Sequence, residues 1–287
     1  MAHIEDVTDR PQSRQRKAGP PSWVKYYLFV YNALSALGWG YILVCTLVHL
    51  FALDTHHLPH LSSPPTLLER ISSKLATIPY LSSAKQLLSP SPYAWVEAYL
   101  PPSLVPVFRR ASTTYERVGR QTAIVQSFAA LEVVHVLLGW VRSNAVVTGV
   151  QVWSRYNLVW FVAPYFKTAQ TSPFYASMVL SWSITEVIRY AHFATTLIGH
   201  ESRLLLWLRY TTFYILYPTG AGSEALVMFA TIPKWDEDWT LTDIRHAVLF
   251  VAWWPGLFIM MSHMAKRRSK VLGKGRTLGE KPKSKLQ

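Results

Sequence analysis

The chain is poor in cysteine, in charged residues generally and in acidic residues above all. Of its 287 residues one is a cysteine and 16% are charged, with 16 acidic against 29 basic side chains. The single Cys45 excludes an internal disulfide and a Cys-x-x-Cys metal site. It lies in an apolar segment, without the basic loop that activates a nucleophilic thiol. The charged fraction is well below the roughly 25% of soluble domains, which points away from a soluble protein.

Common catalytic and nucleotide-binding motifs are also missing. No Walker A, G-x-G-x-x-G, G-x-S-x-G or H-E-x-x-H stretch has the context that its mechanism needs. A di-iron lipid desaturase would need histidine boxes on several helices. Here four histidines cluster locally (His49, His56, His57 and His60) and the others are scattered singly. We therefore expect no metal site.

What the chain does contain is apolar and aromatic. Half of it is hydrophobic, with 12 Trp and 15 Tyr, rings that favour membrane interfaces. Six apolar stretches are close to the ~20 residues needed to cross a bilayer. They cover about 26–53, 122–141, 145–166, 174–198, 204–232 and 247–265. The sequence predicts an all-α, polytopic membrane bundle of six helices. We expect a kink at Pro218 in the fifth stretch; the alternative is that this stretch divides there into two shorter pieces.

Charge patterning sets the expected domains and orientation. Residues 1–22 form a polar, disordered cytosolic segment, 23–265 the membrane domain and 266–287 a basic cytosolic tail with nine Lys or Arg. A Ser- and Pro-rich stretch at 54–119 reads as an inserted luminal loop. The basic tail suits anionic lipid better than nucleic acid, which we do not expect as a partner. The last five residues, KSKLQ, resemble a KxKxx retrieval signal of the endoplasmic reticulum.

The stretch LYPTGAGSE, residues 216–224, carries the most information. It places Tyr217 and Glu224 seven positions apart in an apolar segment. An ionisable group at membrane depth is a functional candidate. Seven helical steps fall about 20° short of two turns, so both side chains would face the same way, about 10 Å apart along the axis. The plainer alternative is a buried carboxylate satisfied by a neighbouring arginine, with the tyrosine only packing.

These residues resemble the signature of the membrane-embedded very-long-chain (3R)-3-hydroxyacyl-CoA dehydratases, also called protein-tyrosine-phosphatase-like proteins. Further stretches resemble that family in the same order along the chain, over about 31–53 and 121–270. They read YNALSALGWGYIL, LEVVHVLLGWVRS, QVWSR, WSITEVIRY and PGLFIMMSHMAKRRSK. The stretch 54–119 and the polar N-terminus depart from the family's compact core.

The resemblance implies the dehydration step of fatty acid elongation, which yields trans-2-enoyl-CoA in the membrane of the endoplasmic reticulum. It implies that Tyr217 and Glu224 are the catalytic pair; we expect Glu224 to act as the base. Candidate substrate-binding groups are Tyr190, Arg189 and Ser223 at the thioester oxygen. At the CoA phosphates the candidates are Arg142, Arg203 and the run Lys266-Arg267-Arg268. Elimination needs only acid and base, so no cofactor is expected. Implied partners are the 3-hydroxyacyl-CoA, membrane lipids and the other elongation enzymes.

Other ionisable residues in the apolar stretches have structural explanations. Glu186 and Arg189 are three positions apart, as an intrahelical ion pair would be. Glu132 and His135 have the same spacing. Arg155 lies within a predicted span and needs a carboxylate, which Glu132 or Glu186 could supply. Two alternative functions stay open on the sequence: a non-catalytic scaffold or lipid-binding protein of the same fold, and a transporter, for which we find no inverted repeat.

Overall fold

The computed structural model describes residues 21–51, 94–233 and 236–272, and every regular element in these ranges is helical. The predicted all-α class is therefore confirmed. Four predictions lie outside the described residues: the disordered N-terminus, residues 54–93 of the inserted loop, the histidines at 56, 57 and 60, and the retrieval signal.

The helices follow one another through short turns. In chain order the described ranges contain α1 (Ser22–Phe51), α2 (Ala94–Glu97), α3 (Val105–Ala111), α4 (Thr114–Ser127), α5 (Ala130–Leu137), α6 (Ala145–Asn157), a π-helical turn (Leu158–Val162), α7 (Lys167–Gln170), α8 (Pro173–Leu197), α9 (Arg203–Arg209), α10 (Phe213–Phe229) and α11 (Leu241–Leu272).

Two of the described helices are long and apolar enough to cross a membrane. They are α1 and the Leu241–Ser269 part of α11. Both expose large apolar side chains, among them Leu37 and Phe258. An apolar surface of this extent suits lipid rather than water. α8 is also long, with 25 residues, but Glu186 and Arg189 in its middle make it less apolar.

α8 lies at the centre of the packing. It runs along α1 on one side and along α10 on the other, while α11 packs against α10 and α4 against α1. Trp39 of α1 meets Trp182 of α8 edge to face, with ring centroids 6.3 Å apart. The buried core around this contact includes Ile42, Val118, Leu158, Val162, Tyr175, Met178, Val179, Tyr190, Val227 and Met228.

The fifth apolar stretch breaks at residues 210–212, between α9 and α10, and not at Pro218 as we expected. Backbone hydrogen bonds here span three residues instead of four: the Thr211 N–H donates to the Leu208 carbonyl at 3.1 Å, and the Tyr214 N–H donates to the Thr211 carbonyl at 3.3 Å. Bonds of this spacing belong to a tighter turn and interrupt the α-helix. Pro218 lies only six residues into α10, which continues through it to Phe229.

Two other boundaries differ from the sequence prediction. The second stretch consists of two helices, α4 and α5, separated at residues 128–129. The C-terminal part of the predicted insertion belongs to the folded core, because α3 packs against both α1 and α8. Ala111 there forms a buried apolar cluster with Leu50 and Ala176, and a guanidinium nitrogen of Arg110 donates to the Leu50 carbonyl at 3.0 Å. Sequence composition cannot distinguish such a short packed helix from a loop.

Candidate active site

A cavity of about 840 Å³ lies between α6, α8, α10 and α11. One part of its wall is apolar and is formed by α6 and α11, with side chains such as Val150, Trp153, Leu257 and Met260. The other part is formed mainly by α8 and α10 and carries ionisable groups, joined there by Arg155 of α6 and Glu132 of α5. A large, mainly apolar cavity with a few converging polar groups is typical of a ligand site.

The carboxylate of Glu224 is held by two indoles on the polar side of this cavity. The Nε1 of Trp182, on α8, donates to Oε1 at 2.6 Å, and the Nε1 of Trp253, on α11, donates to Oε2 at 3.0 Å. Glu224 is only 8% exposed. Both oxygens therefore have a fixed donor from a different helix, and the carboxylate plane has a defined orientation toward the cavity.

Tyr217 lines the same cavity, two turns before Glu224 on α10. Its ring packs edge to face against Phe213, with centroids 5.9 Å apart, which supports the phenol from the side away from Glu224. The structure thus brings Tyr217 and Glu224 to one cavity wall, the geometry that the seven-residue spacing predicts.

A chain of ion pairs lies next to this pair. Glu186 contacts both Arg155 and Arg189, the latter at 2.6 Å, so the predicted intrahelical pair forms. Arg189 also makes two parallel hydrogen bonds with Glu132, at 2.8 and 2.6 Å. The Tyr190 hydroxyl donates to the same carboxylate. Two guanidinium groups and two carboxylates balance in charge, and together they join α5, α6 and α8.

The ion-pair chain touches the Glu224 site through one residue. The guanidinium of Arg155 lies over the ring of Trp182, 4.8 Å from its centroid, and Trp182 is the indole that donates to Glu224. Of the two carboxylates that the sequence offers Arg155, the structure selects Glu186. Glu132 pairs with Arg189 rather than with His135. A ring nitrogen of His135 is instead hydrogen-bonded to the Tyr27 hydroxyl, at 3.0 Å.

Two of the candidate substrate-binding residues lie in the cavity wall and the others do not. Arg189 and Tyr190 line the cavity. Ser223 faces α8 instead, where its hydroxyl donates to Ser177 at 2.8 Å. Arg142 is exposed beyond the end of α5 and is not part of the cavity wall.

Sequence reasoning missed the two indoles and Gln151. Trp182 lies four positions before Glu186 in the WSITEVIRY stretch, and Gln151 begins QVWSR, so both belong to stretches that the resemblance had marked. Gln151 lines the cavity and contacts the Met260 sulfur at 3.0 Å, across from α6 to α11. Trp253 had no signal other than its place in the last apolar stretch.

Among the described histidines, His135 and His246 are hydrogen-bonded to hydroxyl groups of other residues. His246 is buried, and its Nδ1 is 2.7 Å from the Thr231 hydroxyl. Across the described ranges no three His, Cys, Asp or Glu side chains come together as metal ligands would.

The described helices have apolar outer surfaces, and the cavity between them contains a carboxylate and a phenol. This is the architecture of a membrane-embedded acid–base enzyme. Comparison with known proteins identifies the class. A family model described as "Protein tyrosine phosphatase-like protein, PTPLA" matches residues 126–274, slightly more than half of the chain. The chain belongs to this family, whose curated members among its relatives are very-long-chain (3R)-3-hydroxyacyl-CoA dehydratases.

Three relatives match between 42% and 69% of this chain. A probable very-long-chain (3R)-3-hydroxyacyl-CoA dehydratase of Schizosaccharomyces pombe is 37% identical over 201 residues, which are 69% of this chain and 95% of the relative. A dehydratase of Caenorhabditis elegans is 37% identical over 56% of this chain and 80% of its own length. Human dehydratase 2 is 37% identical over 42% of this chain and 47% of its own length. No solved structure matches the chain.

Proposed function

We propose that the protein is a lyase that converts (3R)-3-hydroxyacyl-CoA to trans-2-enoyl-CoA and water, the third step of very-long-chain fatty acid elongation. The observation that carries this proposal is the position of Tyr217 and Glu224 on one wall of one cavity. A carboxylate and a phenol can serve as base and acid, and the dehydration of a 3-hydroxyacyl thioester, the reaction in the name of the Schizosaccharomyces pombe relative, needs both. A non-catalytic scaffold would have no need to keep both groups.

In the proposed mechanism, Glu224 removes the C2 proton of the thioester. The electron pair of that C–H bond forms the C2–C3 double bond, the C3–O bond breaks, and the departing hydroxyl leaves as water after it accepts a proton. Tyr217 delivers or relays that proton. The indoles of Trp182 and Trp253 hold the carboxylate in place, so that no reorientation is needed during the reaction.

Negative charge on the thioester oxygen needs stabilisation as the C2 proton leaves. Arg155 of α6 and Arg189 of α8 line the cavity, and we propose that an N–H of one of these paired guanidinium groups donates to that oxygen. Ser223 is turned away, so we no longer include it among the substrate-binding groups. Tyr190 lines the cavity but donates to Glu132, which favours a role in fixing the ion-pair chain over direct contact with the thioester.

The apolar part of the cavity suits the acyl chain. α6 and α11 face each other across it with valine, leucine, tryptophan and methionine side chains. Burial of each methylene group of the acyl chain contributes about 0.8 kcal/mol, so a long chain gains much of its binding here.

We further propose a six-span arrangement in the endoplasmic reticulum membrane, with both termini cytosolic. α1 and α11 would be the first and last spans, α4–α5, α6 with its π-helical turn, α8 and α9–α10 the other four. The apolar outer faces of α1 and α11 support this arrangement. The enzymes that make the 3-hydroxyacyl-CoA and consume the enoyl-CoA are the expected partners in the same membrane.

The test is turnover by the purified protein. We expect 3-hydroxyacyl-CoA to give a product lighter by one water in mass spectrometry, at a rate that falls by roughly 10²–10⁴-fold in Glu224→Gln, as for other general acid–base groups. Tyr217→Phe should also be slow. An inert wild-type protein that still bound long-chain acyl-CoA would favour the alternative, a non-catalytic lipid-binding homologue.

A further inference from the structure

Three arginines converge just outside the cavity, on the side where α8, α9 and the end of α11 meet. We call Arg209, Arg267 and Arg268 the arginine cluster. Arg209 ends α9, and the other two lie near the end of α11, some 58 positions later in the chain. Arg209 interacts electrostatically with Arg267 on the outer side, and with Arg189 and Tyr217 of the cavity on the inner side.

Aromatic rings hold two of these guanidinium groups flat. Arg209 lies 4.3 Å over the ring of Phe193, and Arg268 lies 5.7 Å from the ring centroid of Tyr214. A stacked guanidinium keeps its N–H edge free and preoriented, which is the geometry that suits two parallel hydrogen bonds to a phosphate. Stacking therefore restricts the side chains of Arg209 and Arg268 more than a lysine would be restricted there.

Unpaired polar atoms collect in the same place. Six buried side-chain nitrogens or oxygens in the described ranges have no hydrogen-bond partner, and three of them belong here: Nδ1 of His192, Oγ1 of Thr211 and Nε of Arg268. His192 interacts electrostatically with Arg209, and also with the exposed Glu201. Buried polar groups are nearly always paired in folded proteins, so three unpaired ones beside converging cations point to a missing anionic ligand.

We propose that the arginine cluster binds the phosphate groups of the CoA moiety. This inference rests on the proposed function, because it places the thioester between Tyr217 and Glu224 and lets the pantetheine arm run outward past Arg189. The like charges of the cluster repel one another in the empty site, and an anion with several phosphates removes that repulsion. Phospholipid headgroups carry the same chemistry, so the experiment must separate the two.

The experiment compares two substrates that differ only in their phosphates: a 3-hydroxyacyl-CoA and the same acyl group on pantetheine, with the protein in vesicles of neutral lipid. For Arg267→Gln and Arg268→Gln we expect kcat/KM on the CoA thioester to fall about tenfold each, the loss of one charge-assisted hydrogen bond. Turnover of the pantetheine thioester should be unchanged. Arg268→Lys should recover part of the loss, and Arg120→Gln, an exposed arginine on α4, should lose nothing on either substrate.

A second measurement, the dissociation constant of CoA itself, does not depend on turnover. We expect it to rise about tenfold in Arg267→Gln, whose exposed side chain can change without disturbing the fold. Equal losses on both substrates, or an unchanged affinity for CoA, would overturn the proposal. Losses of activity that appear only when the vesicles contain anionic lipid, with an unchanged affinity for CoA, would assign the cluster to headgroups instead. Failure of the wild-type protein to turn over either substrate, with CoA binding intact, would reject the proposed function and keep this site.

Discussion

At the scale of single residues, the arrangement around Glu224 decides how the carboxylate can work. Each oxygen accepts one indole N–H, from Trp182 and from Trp253. Indole nitrogens donate and never accept, so they cannot take up the proton that Glu224 removes. The two tryptophans therefore hold the base in place while leaving its proton-transfer chemistry to the substrate.

The first prediction follows from this arrangement. Trp253→Phe keeps an aromatic ring but removes the donor to Oε2. We expect kcat to fall by about tenfold, as for the loss of one hydrogen bond to a charged group, while KM changes little. Steady-state kinetics measure both constants.

The adjacent Trp254 supplies the control, because it is exposed and packs edge to face on Phe250. Trp254→Phe should keep wild-type kinetics. In a Glu224→Gln background, Trp253→Phe should cost little more, since both changes act on one group. A full additional loss in that background would show that the indole acts elsewhere.

The second prediction concerns Glu186, which we interpret as structural. It lies 4% exposed between two guanidinium groups. Removing one partner from a buried ion pair costs about 3–5 kcal/mol, because the remaining charge stays buried. Glu186→Gln should therefore lower the thermal midpoint in detergent strongly, with kcat per folded molecule within about tenfold of wild type.

Thermal unfolding and active-site titration of the same preparation separate stability from turnover. Glu224→Gln is the comparison: it should lose turnover without a comparable loss of stability. A stable but inactive Glu186→Gln protein would move the catalytic carboxylate to Glu186 and make its arginine partners the site.

At the scale of helices, the close contact of α8 with α10 sets the position of Tyr217 and Glu224. Gly220 lies in the cavity wall, and a methyl group added to it would stand 3.3 Å from the Cβ of Ser181. A methyl group on Gly222, two residues later, would meet nothing within 4 Å. The two glycines of one signature thus have different physical roles.

The third prediction uses this matched pair. Alanine favours a helix over glycine by about 1 kcal/mol, so Gly222→Ala should be neutral or stabilising and fully active. Gly220→Ala gains the same preference but must push α10 away from α8. We expect its kcat to fall by an order of magnitude or more, because small displacements of a catalytic group are costly. Kinetics of both variants test this, and equal behaviour would show that the contact can relax.

The helices also show which structural features the sequence patterns could predict. The apolar stretches predicted the all-α class and the approximate extent of α1 and α8 because long apolar runs have few other structures. They could not place the break at residues 210–212, because no proline or glycine lies there to mark the end of a helix. In the site, spacing brought Tyr217 and Glu224 together, whereas Trp253 comes from a different helix and no local pattern on α10 encodes its distance to Glu224.

At the scale of the whole molecule, Tyr217 and Glu224 lie on α10, which is apolar but only 17 residues long. Only α1 and Leu241–Ser269 meet the length and hydropathy of a membrane span within the described part of the chain. α8 carries an ion-pair chain that is neutral overall, and such pairing lowers the cost of charge inside a bilayer. The apolar helices α1 and α11 suit contact with lipid, and ion pairing lowers the cost of the inner charges. Together these two features allow acid–base chemistry within a membrane.

The fourth prediction concerns the membrane topology, that is, the side of the membrane on which each terminus lies. With six crossings, tags placed before Ser22 and after Leu272 both face the cytosol and are digested by protease in sealed microsomes. A glycosylation site engineered into residues 54–93, which follow the first span, should receive a glycan from the luminal enzymes.

Two broken segments, α4–α5 and α9–α10, decide the result, because each must cross despite its break. If the two tags lie on opposite sides, the number of crossings is odd and one of these segments does not cross. If that segment is α9–α10, Arg209 lies on the cytosolic side and Arg267 and Arg268 on the luminal side, so the three arginines could not bind one ligand together.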